Sequence, residues 1–100
     1  MIRHIVFWKF ADEADGRTKA ANMDRVESAL LALRDTIPEL RAIEVGRDFN
    51  GSPAAFEMAL VTDFDTREDL AAYQVHPEHE KVKTLVGAVT ADRAVVDYEV

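Results

Sequence analysis

The chain has 100 residues, 48% of them hydrophobic and 31% charged, which fits one compact domain over residues 1–100. A formal net charge of −7 argues against nucleic-acid binding, because clustered cationic groups supply most of that affinity. The absence of Cys excludes disulfides and thiolate metal sites, no stretch is long enough for a membrane span, and the first residues lack a signal-peptide cleavage end, so we expect a cytoplasmic protein.

The first third of the chain predicts a strand and a helix. Residues 2–10 are rich in strand-forming side chains, with large apolar groups on both faces, which is typical of a strand covered on two sides. A polar turn follows at residues 11–16. From residue 17 to about residue 36, apolar side chains at three- and four-residue steps predict an amphipathic helix that Pro38 ends. Its apolar stripe consists of Met23, Val26, Leu30, Leu33 and Ile37.

The middle of the chain predicts two more strands. Residues 40–49 alternate loosely, with Ile43, Val45 and Phe49 on one side, and a turn at residues 50–53 follows. A third strand comes next, and we expect one face of it to consist of Phe56, Met58, Leu60, Thr62 and Phe64.

The last third predicts a pair of helices and a final strand. Thr66 and the Asp three residues later resemble a capping box, so a short helix begins there. Pro77 suits the first position of a second helix, which we expect His76 to cap and Gly87 to end. Residues 93–100 alternate between apolar and polar side chains as a fourth strand.

This order of elements predicts an α+β fold with a ferredoxin-like split βαβ arrangement (β-α-β-β-α-α-β). Its four-stranded antiparallel sheet has helices on one face. The other face would then expose apolar side chains, at a cost of about 25 cal/mol per Å². We therefore expect a homodimer in which a second copy covers that face.

Tyr73 and His79 are the first candidate pair for chemistry. They are six residues apart across the junction of two helices, so a phenol and an imidazole can point into one cavity. Imidazole suits proton abstraction near neutral pH, and a phenol can donate to a developing enolate oxygen. The pair therefore fits chemistry next to a carbonyl group. A Tyr packed under the helix, with a His on the solvent side, is the alternative.

His4 is unusual on an apolar strand face, because a buried His requires a hydrogen-bond partner. Antiparallel pairing of the first and last strands would place Asp97 beside it, either as a core pair or as part of a site. Trp8 on the same face fits a core position or a cavity wall better than a cofactor platform.

The signals for a metal ion or cofactor are weak. His76 and His79 have an HxxH spacing, but a His76 ring that caps a helix need not converge with the His79 ring. The acidic turn at residues 12–15 is most simply a solvated loop. No phosphate loop, GxSxG elbow or dinucleotide fingerprint is present, so we expect neither a metal nor a cofactor.

Three segments, MIRHIVFWKF at the start, FDTREDL leading into AYQVHPEH, and VVDY near the end, resemble the stress-responsive dimeric α/β-barrel (Dabb) family. The resemblance covers essentially the whole chain and implies that two sheets meet face to face in a dimer. One branch of the family, the polyketide cyclases related to olivetolic acid cyclase, uses a Tyr and a His in the segment that corresponds to AYQVHPEH to cyclise a poly-β-keto chain. By similarity, Tyr73 and His79 match these catalytic residues, and His4 and Asp97 match polar positions of the pocket.

Three functions remain open from the sequence. The first is a homodimeric domain that binds a small apolar or carbonyl-containing ligand between sheet and helices. The second is a cofactor-free cyclase or isomerase with His79 as the base and Tyr73 as the donor. The third is a dimeric-barrel monooxygenase or haem-binding protein, which Trp8 and the histidines permit. We expect the ligand-binding residues to be His4, Val6, Trp8, His76 and Asp97.

Overall fold

The chain folds into a four-stranded antiparallel sheet with helices on one face, the predicted ferredoxin-like α+β fold. The computed structural model describes residues 1–100. The strands are β1 (Ile2–Phe10), β2 (Glu13–Ala14), β3 (Arg17–Thr18), β4 (Ala42–Arg47), β5 (Met58–Phe64) and β6 (Thr90–Glu99). The helices are α1 (Lys19–Ala32), which continues as a 3-10 turn at Leu33–Asp35, α2 (Arg67–Val75) and α3 (Pro77–Val89). None of these helices combines the length and apolar character needed to span a bilayer.

β1 is a central strand of the sheet, whose order is β4-β5-β1-β6. It pairs antiparallel with β5 on one side and with β6 on the other. Every second residue of β1 is buried against the helices, and the residues between them are half-buried on the opposite face. This strand therefore organises both layers, and the prediction of a strand with apolar groups on two faces is confirmed.

The hydrophobic core lies between the sheet and the helices. α1 and the turn after it contribute three of the five predicted stripe residues as buried side chains, and Met23 packs against them while half-buried. The fifth, Ile37, is also buried but lies just after the turn. α3 contributes Val82, Val86 and Val89. Burial of these side chains, each worth about 1.5–3 kcal/mol, holds α3 over the sheet.

Both predicted helix starts are confirmed. The Thr66 hydroxyl accepts a hydrogen bond from the Asp69 backbone N–H at 3.1 Å, which caps α2. His76 Nδ1 accepts one from the Glu78 backbone N–H at 3.1 Å, with Pro77 as the first residue of α3. Such caps satisfy backbone donors that lack a partner inside the helix. The two caps set where α2 and α3 begin.

The predicted end of the last helix at Gly87 is wrong, because α3 continues to Val89. Glycine inside a helix costs only about 1 kcal/mol, and the burial of Val86 and Val89 on either side of it outweighs that cost. β6 then starts at Thr90, three residues earlier than expected.

Three other local predictions also differ from the structure. The polar turn after β1 contains a small hairpin, β2 with β3, whose turn residues Asp15 and Gly16 have φ of 56° and 72°. These positive values suit a tight hairpin turn, which Asp and Gly tolerate. Phe56 precedes β5 and packs against Phe7 on the opposite face of the sheet, and Phe49 is fully exposed instead of joining the β4 face.

The sheet face that lies away from the helices has an apolar centre. Ile5 and Phe7 of β1 lie there between Val61 of β5 and Val96 of β6, and Val96 is 52% exposed. At the edge of this open face, Arg3 forms an ion pair with Asp63, with 2.9 Å between Nε and Oδ1. An apolar centre with a charged rim is the pattern of a protein interface.

We expect a second copy to cover this open face, so the wild-type chain should sediment as a dimer. Val96→Lys places a charge in the apolar centre and should give a monomer, because an unpaired charge is costly to bury. Ile5→Lys should act in the same way. Neither side chain belongs to the buried core, so circular dichroism should show a folded chain for both variants.

The matched control is Ser28→Lys, which adds the same charge to an exposed position of α1 and should remain dimeric. A wild-type monomer at micromolar concentration, or dimeric Val96→Lys and Ile5→Lys variants, would contradict the expectation.

Candidate functional site

A cavity of about 180 Å³ lies between the sheet and α3. An apolar cavity of roughly 150 Å³ can hold a benzene ring, so this space suits a ligand of about one ring. β1, α3 and β6 supply most of the wall, and single residues of α1, α2 and β5 complete it. The apolar lining consists of Val6, Trp8, Leu30, Leu60, Val82 and Val86.

Apart from Gly87, the remaining wall is polar or charged, and no acidic residue belongs to it. The histidines of this lining are buried, whereas Lys83 and Arg93 are exposed at the mouth. The polar lining consists of His4, Gln74, His79, Lys83, Thr90 and Arg93. A ligand would therefore find an apolar interior, buried imidazoles and a cationic entrance.

His4 and Asp97 form a close pair beside the cavity. They lie opposite each other in the β1–β6 ladder, and His4 Nδ1 is 2.5 Å from Asp97 Oδ1. A carboxylate at Nδ1 holds the tautomer with its proton on that atom and fixes the orientation of the ring. Nε2 of the 2%-exposed His4 is then the nitrogen available to a ligand. The predicted proximity of these two residues is confirmed.

Tyr73 lies behind His79 and outside the cavity lining. Its ring stacks on the His79 ring, with centroids 4.0 Å apart, and also contacts Phe64. Tyr73 has no exposed surface, and His79 is 7% exposed. The structure therefore brings the predicted pair together inside the protein, and the alternative of a solvent-facing His does not apply.

Three buried polar atoms around this cavity have no hydrogen-bond partner: the Tyr73 hydroxyl, His79 Nδ1 and Trp8 Nε1. Only one further atom of this kind occurs, on Glu39. Each unpaired buried group costs about 1–3 kcal/mol. A cluster of them at one place is typical of a functional site, where a ligand or water supplies the missing partner.

Burial decides the charge state of the stacked pair. Burial lowers the pKa of His79 to about 4. The positive charge of Lys83 also lowers this pKa, whereas a hydrogen bond with the backbone of Gln74 raises it. Burial also raises the pKa of the Tyr73 hydroxyl above its ordinary value. Both side chains are consequently neutral at pH 7. A neutral imidazole and a phenol can each exchange hydrogen bonds with an uncharged ligand.

Two predicted binding residues lie outside the cavity lining. His76 is half-buried and uses Nδ1 as the cap of α3, while Asp97 reaches the site only through His4. No group of three or more His, Asp or Glu side chains is placed to hold a metal ion. Because His76 caps α3, its role is to position the helix that carries His79.

The sequence analysis did not find four polar lining residues: Gln74, Lys83, Thr90 and Arg93. Lys83 follows His79 by four residues and so shares its helix face. Arg93 lies opposite Trp8 in the β1–β6 ladder, on the helix side of the sheet. Helical spacing and strand register would have identified these two, once His79 and Trp8 were chosen.

The chain is similar to proteins of one family. The sequence profile described as Stress responsive A/B Barrel Domain matches residues 2–100. A stress-response A/B barrel domain-containing protein of Arabidopsis thaliana is 34% identical over 99 residues, which are 98% of this chain and 36% of that protein. The chain therefore spans about a third of the length of this curated relative.

Solved structures agree with this similarity. A dimeric protein with a ferredoxin-like fold from Bacteroides fragilis is 33% identical, with a TM-score of 0.86 over 99% of this chain and 95% of the other. A dimeric ferredoxin-like protein from Thermobifida fusca is 30% identical, with a TM-score of 0.83 over 99% and 90% of the two chains.

The unpaired hydroxyl of Tyr73 leads to a stability prediction. Tyr73→Phe should raise the free energy of unfolding by about 1 kcal/mol, because it removes a buried polar atom without a partner and keeps the stacked ring. Urea unfolding measures the change. Ser52→Ala, which removes a hydroxyl at an exposed position of the turn before β5, is the control and should shift stability by less than about 0.5 kcal/mol. A loss of stability in Tyr73→Phe would show that the hydroxyl has a partner.

Proposed function

Because the chain belongs to the stress-responsive A/B barrel domain family, we propose that it is a homodimeric domain that binds a small, largely apolar carbonyl compound. The ligand would occupy the cavity between the sheet and α3. The observation that carries this proposal is that two residues of the cavity lining, Trp8 and His79, each have a buried polar atom without a hydrogen-bond partner. The dimeric state of similar solved structures and the apolar open face support the homodimer.

A carbonyl group fits the cavity better than a pure hydrocarbon. Trp8 belongs to the cavity lining, and its Nε1 can only donate a hydrogen bond. A carbonyl oxygen accepts hydrogen bonds and has no proton to donate. Binding such a ligand would offset the cost of an unpaired indole N–H while its apolar part fills the space beside Val82 and Val86.

Acetophenone and its hydrocarbon isostere α-methylstyrene test this proposal. The ketone should bind more tightly, and amide NMR shifts in titrations of the labelled protein should change at residues of β1 and α3. Trp8→Phe removes the donor and keeps an aromatic wall, so it should weaken acetophenone binding by about tenfold, as expected for one hydrogen bond of about 1.4 kcal/mol.

The same substitution should leave binding of α-methylstyrene nearly unchanged. Phe7→Leu, on the opposite face of the sheet, is the matched control and should alter neither affinity. Equal affinity for the ketone and the hydrocarbon would refute the carbonyl preference, and the absence of binding for both would refute the ligand-binding function.

The His4–Asp97 pair favours a second candidate, a cofactor-free acid–base enzyme of the cyclase or isomerase type. In such a reaction a proton leaves the carbon beside a carbonyl group for an imidazole nitrogen, and the negative charge moves to the carbonyl oxygen. His79 is the base expected from the family resemblance, with Tyr73 as the donor. His4 is a second candidate base, since Asp97 holds its Nδ1 and leaves Nε2 to accept a proton.

The two histidines differ in what burial does to them. Burial lowers the pKa of His79 to about 4, so it is neutral at pH 7 and only weakly basic. His4 holds a carboxylate partner that His79 lacks. Because Asp97 orients its ring, His4 is better suited to accept the proton, and the neutral His79 of the cavity wall is better suited to donate a hydrogen bond to the enolate oxygen.

Deuterium incorporation from D₂O into a β-keto thioester, at the carbon between its two carbonyl groups, tests this enzymatic function. The protein should accelerate the exchange over buffer. His4→Ala and His79→Ala should each reduce the accelerated rate by about 100-fold, within the range that general acid–base groups contribute. His76→Asn keeps a capping acceptor outside the cavity and should retain the rate.

Exchange no faster than in buffer, or full rates in both Ala variants, would remove this candidate. A loss in His4→Ala with a normal rate in His79→Ala would assign the base to His4.

A further inference from the structure

The charge of the cavity lining is opposite to that of the chain. The sequence contains 19 acidic and 12 basic residues, yet the lining includes Lys83 and Arg93 and no Asp or Glu. Both cations are exposed at the mouth, while the walls between β1 and α3 are apolar. An entrance of one sign of charge raises the local concentration of ligands with the opposite charge.

Of the two cations, Arg93 is better suited to bind an anionic ligand. It lies in β6 opposite Trp8, and its guanidinium forms no ion pair with a carboxylate of this chain. The neighbouring Asp92 accepts a hydrogen bond from the Arg93 backbone N–H at 2.8 Å, and no bond joins the two side chains. A guanidinium presents several fixed donors and can bind both oxygens of a carboxylate.

Lys83 is the second cation and has a partner already. Its Nζ lies 3.0 Å from Glu80 Oε1, in an exposed pair one turn apart on α3. Exposed pairs of this kind contribute little, so a ligand anion can share or replace Glu80. The positive charge of Lys83 also acts on the cavity interior, where it contributes to the lowered pKa of His79.

We propose that the ligand is a small organic anion whose carboxylate lies between Arg93 and Lys83 and whose apolar body fills the space between β1 and α3. This inference rests on the proposed ligand-binding function and narrows its ligand class to carboxylic acids of about one ring in size. Three acidic groups are near. Glu80 pairs with Lys83, Asp97 pairs with His4, and Asp92 lies opposite Lys9 in the β1–β6 ladder and accepts the backbone N–H of Arg93.

Phenylacetate and phenylacetamide form a matched probe pair, since they differ in the charge of one group. Titration of the labelled protein should show that phenylacetate binds at least tenfold more tightly than the amide at low salt. Added salt should weaken binding of the acid and leave the amide unaffected, because the two cations are exposed to solvent.

Arg93→Gln should reduce the affinity for phenylacetate about tenfold without changing that for phenylacetamide, and Lys83→Gln should reduce it by a smaller factor. Two controls remove the same charge away from the cavity. Lys81→Gln lies on α3 in a pair with Glu78, and Arg34→Gln lies in the turn after α1. Both should keep the wild-type preference for the acid.

The possible results separate this inference from the proposed function. If the amide binds in the cavity as tightly as the acid, or if Arg93→Gln keeps the preference for the acid, the anion inference is wrong and ligand binding stands. If neither probe shifts the signals of the cavity residues, while acetophenone does, the anion inference alone fails. If no probe of either kind binds, both proposals fail.

Discussion

The antiparallel pairing of the first and last strands is the constraint on which the rest of the site depends. Without β6 beside β1, His4 would be a buried imidazole with no partner, and Arg93 would not lie across from Trp8. The pairing joins residues from opposite ends of the chain, so only the closed sheet brings them together. It supplies both the carboxylate that orients one histidine and the cation at the entrance of the cavity.

The two buried histidines of the cavity differ in their hydrogen-bond partners. His4 is buried with a carboxylate at Nδ1, whereas His79 is buried against the Tyr73 ring with its own Nδ1 unpaired. Apolar packing between α3 and the sheet must offset the cost of the unpaired atoms, which explains why α3 runs past Gly87 to bury Val89. The helix thus serves both stability and the site, and its His76 cap sets its starting point.

Most of the fold could be predicted from local patterns. The two-sided apolar strand β1, the stripe of α1 and the caps of α2 and α3 follow from side-chain periodicity and from the chemistry of Thr66, His76 and Pro77. The errors have a common cause. Gly87 favours a helix end and Phe56 fits the alternation of β5, but packing partners elsewhere in the chain decided otherwise.

The sequence by itself determined the order of the elements, the apolar surplus on two faces of the sheet and a set of candidate polar residues, because these depend on neighbours along the chain. It could pair His4 with Asp97, since the strand order implies that register. The tertiary structure alone decided that Tyr73 lies behind His79, that His76 lies outside the cavity lining, and that Gln74 and Thr90 belong to it. The direction in which a side chain points, and what it meets there, depends on how separate elements pack, and that information is spread over the whole chain.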